Sequence, residues 1–176
     1  MLPRATHQRR TRTFKSLHPD GRIVEIGRLI GRSLRAAVDR EALGEWTWIV
    51  DCDVLQADGG TRTAAINGGM LALYIGMRTL THRGVFSRFP IRTLVAAVSV
   101  ARVDGTWVVD PDYEADAGAE VDLNVVMTET GQLVELQATA EHGLLPPEEV
   151  PQALSLAHAA IQEILAQMRD TLKDAA

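Results

Sequence analysis

Hydrophobic positions along the chain recur with two different spacings, and each spacing predicts a type of element. Repeats of three and four residues, typical of one helix face, occur in 22–39, in the segment that ends near His82, and in 148–173. Shorter apolar runs rich in β-branched residues predict five strands: 46–55, 94–103, 107–110, 119–127 and 133–138. The order α-β-α-β-β-β-β-α predicts an α+β fold in which helices cover one face of a mixed β-sheet.

Two features of the predicted strands bear on assembly. Asp104-Gly105 separates two of them and favours a hairpin with a type I′ turn. Only the strand 46–55 precedes the second helix, so the sheet has unpaired edges. An unpaired edge invites pairing with another chain, and we therefore expect an oligomer.

Length and composition are those of a globular domain. The 176 residues fit a single domain, 1–176, with 46% hydrophobic and 23% charged residues. No apolar run approaches the roughly 20 residues of a transmembrane helix, and the N-terminus lacks the apolar region of a secretory signal. Cys52 is the only cysteine, so we expect a reduced thiol and a cytoplasmic protein without membrane attachment.

Charge is distributed unevenly along the chain, whose net charge is −5. Residues 1–40 hold ten of the 18 basic residues but only three of the 23 acidic ones. Nearly all the basic residues are arginines, which bind phosphates through a planar fork and stack on bases. Residues 1–20 are therefore predicted to be a basic RNA-binding arm ahead of an α+β core, 21–176. A solvated basic tail would have the same composition.

The sequence Gly59-Gly60-Thr61-Arg62 lies between a predicted strand and a predicted helix. Unpaired N–H groups at a helix N-terminus and the helix dipole both favour an anion there. The Arg62 guanidinium matches the geometry of a phosphate. The segment predicts a phosphate-binding turn, with an ordinary tight turn as the alternative.

Six carboxylates lie within residues 110–122. On the strand that follows, Asp122 and Asn124 share the face opposite the apolar one, so we expect that face to meet solvent, a partner or a cation. Asp116 lies in the preceding loop, close enough to converge with Asp122, and a carboxylate pair suits Mg²⁺. A solvated acidic loop is the alternative.

These features together suit phosphoryl transfer on RNA, because arginines and a cation neutralise charge as an anionic nucleophile approaches a diester. Arg22, at the start of the first predicted helix, is a further candidate anion-binding residue. The sequence has no Ser/His/Asp or Cys/His arrangement, and its five histidines have no zinc-ligand spacing.

Five blocks of the sequence, in this order, resemble the bacterial ribonuclease PH family. They are MLPRATH at 1–7; GR at 21–22, EI at 25–26 and RLIGR at 28–32, which form one block; DCDVLQADGGTRT at 51–63; AAVSV at 96–100; and AEVDLNVVMT at 119–128. The blocks span nearly the whole chain.

The resemblance implies a phosphorolytic 3′→5′ exoribonuclease, or tRNA nucleotidyltransferase, that trims tRNA 3′ ends. Inorganic phosphate would be its co-substrate, and nucleoside diphosphates would be released. By the family pattern, the site residues are phosphate-binding Arg22, Gly60, Thr61 and Arg62; catalytic and Mg²⁺-binding Asp116 and Asp122; and RNA-binding Arg4, Arg9 and Arg12. The family also implies a homo-oligomer, a hexameric ring of dimers.

The chain departs from the family pattern in three places. Family members carry several strands ahead of the block at 1–7, so the resemblance implies a ribonuclease PH-like sheet shortened at its N-terminus. Residues 11–20 differ from the family's Ala/Glu-rich stretch, and Ala117 and Ala138 stand where Ser and Gly are usual. The shortened sheet leaves a second hypothesis open: a non-catalytic RNA-binding or ring-forming subunit of a ribonuclease PH-like assembly.

Overall fold

The computed structural model describes Ala5 and residues 21–174. The helices are α1 (Gly21–Ala37), α2 (Arg40–Leu43), α3 (Thr61–His82), α4 (Tyr113–Ala117) and α5 (Val150–Asp174), with a 3-10 turn at Pro147–Glu149. The strands are β1 (Val95–Val103), β2 (Thr106–Val109), β3 (Val121–Thr128) and β4 (Leu133–Ala140). The predicted RNA-binding arginines Arg4, Arg9 and Arg12 lie outside the described residues.

The four strands form one sheet in the order β2-β1-β3-β4. The predicted α+β fold class is confirmed, although every strand pair in the described part of the chain is antiparallel. The hairpin between β1 and β2 turns at Asp104 and Gly105, whose φ angles of 48° and 72° are those of the predicted type I′ turn.

Helices cover both faces of the sheet, whereas the sequence pattern predicts cover on one face only. α1 and α3 pack on the face that carries Ser99, and α5 packs on the face that carries Arg102. All residues of β1 from Val95 to Ala101 are buried for this reason. The polar face of β3, expected to meet solvent, a partner or a cation, lies under α3, and Asn124 is only 4% exposed.

Residues 46–55 are extended but form no strand, which contradicts the prediction from their alternating pattern. Val50 and Cys52 pack inward on α3, where a Cβ atom at Gly69 would lie 3.5 Å from both side chains. The alternating positions 49, 51 and 53 are exposed, and Ile49 is 89% exposed. Alternation determines which side chains pack. A strand also needs a neighbouring strand for its backbone hydrogen bonds, and none lies beside this segment among the described residues.

Asn67 of α3 takes the place of a strand at the edge of β1. Its amide nitrogen donates to the carbonyl of Ala97 at 2.9 Å, and its side-chain oxygen accepts from the N–H of Ala97 at 2.8 Å. β2 pairs with β1 only from Val100 onward, so these backbone groups of Ala97 lie beyond its reach. The two bonds attach α3 to the sheet.

Candidate active site

The turn before α3 has the geometry of an anion-binding site. Gly60 adopts a left-handed conformation with φ of 64°, which a residue with a side chain rarely adopts. Its carbonyl accepts from the N–H of Ala64 and from Oγ1 of Thr63 at 2.8 Å. Within the described residues, no side chain caps this end of α3. The first N–H groups of the helix are therefore available to a bound anion.

The turn before α3 rests directly on the turn before α4. A Cβ atom at Gly59 would overlap the carbonyl oxygen of Pro111, so only glycine fits. An Oδ1 atom of Asp58 accepts from the N–H of Tyr113 at 2.6 Å and from the N–H of Gly59 at 3.1 Å. These contacts hold the glycine turn against the acidic segment.

The acidic segment contains a short helix that the sequence pattern did not predict. Asp112 caps α4, because its side chain accepts from the N–H of Ala115 at 2.9 Å. Asp116 lies on this helix, and the N–H of Ala119 bonds to its carbonyl as the chain turns into β3. This turn places Asp116 close enough to Asp122 for its charge to act on that carboxyl.

Asp122 is a partly buried carboxyl with a raised pKa. Burial is the largest cause, and the negative charge of Asp116 adds to it, whereas Arg62 acts in the opposite direction. Its Oδ2 atom accepts from Asn124 at 3.1 Å, but its Oδ1 atom is buried with no hydrogen-bond partner among the described residues. A buried carboxylate oxygen without a donor is a ready ligand for a cation.

A line of polar side chains links Asp122 to the N-terminus of α3. Oγ of Ser99 donates to Oδ1 of Asn124 at 3.0 Å, and Thr63 Oγ1 lies 3.5 Å from the same Ser99 hydroxyl. These three side chains are buried. The sequence analysis placed Asn124 on the polar face of its strand but gave none of the three a role in the site. Ser99 and Asn124, polar residues in the middle of apolar strands, are a detectable signal.

Arg62 interacts with two carboxylates. Its Nε atom donates to Oε2 of Glu25 on α1 at 3.3 Å, and its charge lowers the pKa of Asp122. Arg62, Thr61 and Arg22 line one cavity of about 890 Å³ between α1, α3 and the extended segment, although most of its lining is apolar. The structure therefore brings the predicted phosphate-binding side chains to one place. Glu25 was not predicted.

The arrangement can hold an anion next to a cation. Asp116 and Asp122 are the residues that could hold a metal, and no group of three or more His, Cys, Asp or Glu side chains with metal-binding geometry occurs in the described residues. Two carboxylates fit Mg²⁺, which keeps several water ligands and binds substrate phosphates. Both the orphaned oxygen of Asp122 and the neighbouring arginine suit this combination.

Comparison with known proteins decides the family. Residues 1–77 match the model of domain 1 of the 3′ exoribonuclease family, and residues 93–160 match domain 2. The chain is 47% identical to the ribonuclease PH of Syntrophomonas wolfei over 172 residues, which cover 98% of this chain and 72% of that protein. The chain belongs to the ribonuclease PH family. This membership confirms the resemblance seen in the sequence and supports a phosphate-dependent 3′ exoribonuclease.

Solved structures agree on the fold. The exosome of Archaeoglobus fulgidus with RNA bound to its active site superimposes with a TM-score of 0.66 at 20% identity, over 88% of this chain and 65% of that one. Rice (Oryza sativa) Rrp46 gives a TM-score of 0.63 at 16% identity, over 90% of this chain and 69% of that one. The ribonuclease PH fold extends across these proteins. Within the described residues, no helix has both the length and the apolarity to cross a bilayer.

Proposed function

We propose that this ribonuclease PH-family chain removes nucleotides from the 3′ end of tRNA precursors by phosphorolysis. The observation that carries the proposal is the close approach of the uncapped turn before α3, at Gly59, to the turn at Pro111 that leads to Asp116. The charges of Arg62 and Asp116 both act on the Asp122 carboxyl. Phosphorolysis brings a free phosphate to a metal-bound diester, so it needs an anion-binding turn next to carboxylates that can hold a cation.

Inorganic phosphate binds at the N-terminus of α3, where it contacts Gly60, Thr61, Arg62 and Arg22. A phosphate oxygen attacks the phosphorus of the terminal diester. The bond from that phosphorus to O3′ of the preceding nucleotide breaks, and O3′ takes a proton. The products are a nucleoside diphosphate and RNA shortened by one nucleotide. The arginines neutralise the charge that two approaching anions bring together.

Asp116 and Asp122 would hold Mg²⁺ through the buried oxygen of Asp122 and the carboxylate of Asp116. Bound there, Mg²⁺ would polarise the diester oxygens and stabilise the leaving O3′. Asn124 keeps the second oxygen of Asp122 occupied and so fixes the direction of the first.

RNA would reach the site along the arm that contains Arg4, Arg9 and Arg12. We also propose that the chain forms one folding unit and assembles as a hexameric ring or another multimer of dimers. The exposed apolar side chains Ile49 and Leu55 on the unpaired extended segment support association. Burial raises the pKa of the Cys52 thiol, which keeps it protonated, as suits a protein of the cytoplasm.

The test is incubation of a 3′-labelled tRNA precursor with Mg²⁺, with and without inorganic phosphate. We expect nucleoside diphosphate release only with phosphate. Arg62→Ala and Asp116→Asn should each lower the rate by about 100-fold or more, as loss of one transition-state partner does. Arg88→Ala is the matched control, because Arg88 is an exposed arginine that pairs with Asp39 and not with any of these groups.

Salt-sensitive RNA binding without phosphate-dependent release from folded protein would reject this function and favour the non-catalytic subunit. Native mass measurement tests the assembly separately, and a clean monomer would reject the ring.

A further inference from the structure

Gln137, Glu25 and Arg62 are linked by two consecutive hydrogen bonds between their side chains. Glu25 accepts from Nε of Arg62 with one oxygen, at 3.3 Å, and from Nε2 of Gln137 with the other, at 3.4 Å. Glu25 belongs to α1, Arg62 to α3 and Gln137 to β4, so these hydrogen bonds join three separate elements. Glu25 lies three residues after Arg22, on the same side of α1.

Gln137 is placed to support Glu25 from the sheet. It pairs in register with Asn124 on β3, so it shares the sheet face that carries Asp122. Its Oε1 atom is buried and has no hydrogen-bond partner among the described residues. Within the described residues, the bond to Glu25 is therefore the only hydrogen bond made by this side-chain amide.

The contact with Glu25 uses one edge of the Arg62 guanidinium. Nε is engaged, and within the described part of the chain the two terminal nitrogens make no hydrogen bond. Those two nitrogens form the fork that grips a phosphate in a bidentate manner. An arginine held by Nε pays less conformational entropy when its fork binds an anion.

We propose that Glu25 is a positioning residue, which holds Arg62 so that its terminal nitrogens face a phosphate at the N-terminus of α3, and that Gln137 fixes Glu25. The inference rests on the proposed function, since the anion is the phosphate that takes part in phosphorolysis. Glu25 itself touches neither phosphate nor RNA.

The direction in which removal of Glu25 changes phosphate binding shows whether Glu25 positions Arg62 or acts only through its charge. Glu25 is negative and lies beside an anion-binding group. If its charge were all that mattered, its removal would strengthen phosphate binding. If it positions Arg62, its removal weakens phosphate binding.

The test measures phosphorolysis of a tRNA precursor at varied phosphate. Glu25→Ala should raise KM for phosphate about threefold to tenfold, the range for a partly exposed charged hydrogen bond, with kcat within about twofold. Glu25→Gln keeps an acceptor oxygen, so its KM for phosphate should lie between those of the parent chain and of Glu25→Ala. Gln137→Ala should shift KM in the same direction by less.

Glu135→Gln is the matched control. Glu135 pairs with Arg32 at 3.0 Å and lines the same surface depression as Glu25, so this variant removes an equal charge from the same face without touching Arg62. Its KM for phosphate should equal that of the parent chain. A lowered or unchanged KM in Glu25→Ala, or an equal change in Glu135→Gln, would overturn the inference.

Calorimetric titration with inorganic phosphate separates the two proposals. If the parent chain binds phosphate but does not cleave RNA, and Glu25→Gln binds phosphate more weakly, the proposed function fails and the role of Glu25 stands. A parent chain that binds no phosphate overturns both. Circular dichroism of each variant checks that it is folded.

Discussion

A Cβ atom at Gly59 would overlap the carbonyl oxygen of Pro111. The neighbouring Asp58 carboxylate also bonds to the N–H of Tyr113, so the contact is a close approach of two backbone segments. Backbone atoms cannot rotate out of the way as the end of a side chain can. The turn that carries Arg62 and the turn that leads to Asp116 therefore keep one fixed spacing.

Gly59→Ala should reduce both stability and phosphate-dependent release. Forcing a methyl group against backbone costs about 1–3 kcal/mol and displaces one turn from the other. Gly68→Ala is the control, because an added Cβ at this exposed position on α3 would meet nothing within 4 Å. It should gain roughly 0.5–1 kcal/mol from helix propensity. Urea denaturation measures both variants, and equal stability would refute the steric argument.

Asp122→Asn should stabilise the fold at pH 7 while abolishing turnover. The folded pKa of Asp122 is raised above its usual value of 3.8, mainly by burial and then by Asp116, so its ionised form costs stability. That cost is absent below pH 3.8 and appears as pH rises through the folded pKa. The melting temperature of the variant should therefore exceed that of the parent chain at pH 7 without Mg²⁺.

The difference in melting temperature between Asp122→Asn and the parent chain should shrink as the pH is lowered towards 4. Asp122 of the parent chain is then protonated in the folded state, so the cost of its ionised form disappears. Added Mg²⁺ should raise the melting temperature of the parent chain only. A variant that melts lower than the parent at pH 7 would contradict the assigned environment of Asp122.

Arg102→Lys should lower the melting temperature. Arg102, on the α5 face of the sheet, donates to Glu120, to Glu149 and to the carbonyl of Leu144, each at 2.8 Å. Lysine keeps the charge but cannot reach three separate acceptors from one planar group. Arg88→Lys, at an exposed ion pair, should leave the melting temperature unchanged. Equal effects of the two changes would show that the fork geometry of Arg102 is unimportant.

Asn67→Ala should destabilise the protein by about 2–4 kcal/mol, because it leaves the N–H and the carbonyl of Ala97 without partners. Amide hydrogen exchange at Ala97 should accelerate by more than the global change explains. Thr79→Ala, which removes an exposed hydroxyl bonded to Ile75, is the control and should be close to neutral. An unchanged exchange rate at Ala97 would exclude the bridging role.

Elements with a local signal were predictable from the sequence. The periodicity of α1, α3 and α5 and the turn at Asp104 and Gly105 depend only on neighbouring residues, and the structure contains all of them. Helices on the second face of the sheet, and the lack of a strand at 46–55, depend on contacts between distant segments. Single-sequence periodicity does not contain that information.

The candidate site divides in the same way. The glycine turn, Arg62 and the Asp116/Asp122 pair are motifs. The structure brings the glycine turn against the segment that leads to Asp116, and the charges of Arg62 and Asp116 act on Asp122. Glu25 and Gln137 lie 112 positions apart in the sequence, and only folding places them in contact. Glu25 lies within the block at 21–32 that resembles the family, but nothing in the sequence marks it as a partner of Arg62, and Gln137 lies in none of the five blocks.

The contact between Gly59 and Pro111 also joins the two family domains. Gly59 lies within the part that matches family domain 1, and Pro111 within the part that matches domain 2. At this point the two backbones approach so closely that position 59 accepts only a residue without a side chain. A hybrid that joins domain 1 of one relative to domain 2 of another is therefore expected to fold only where this close approach is preserved.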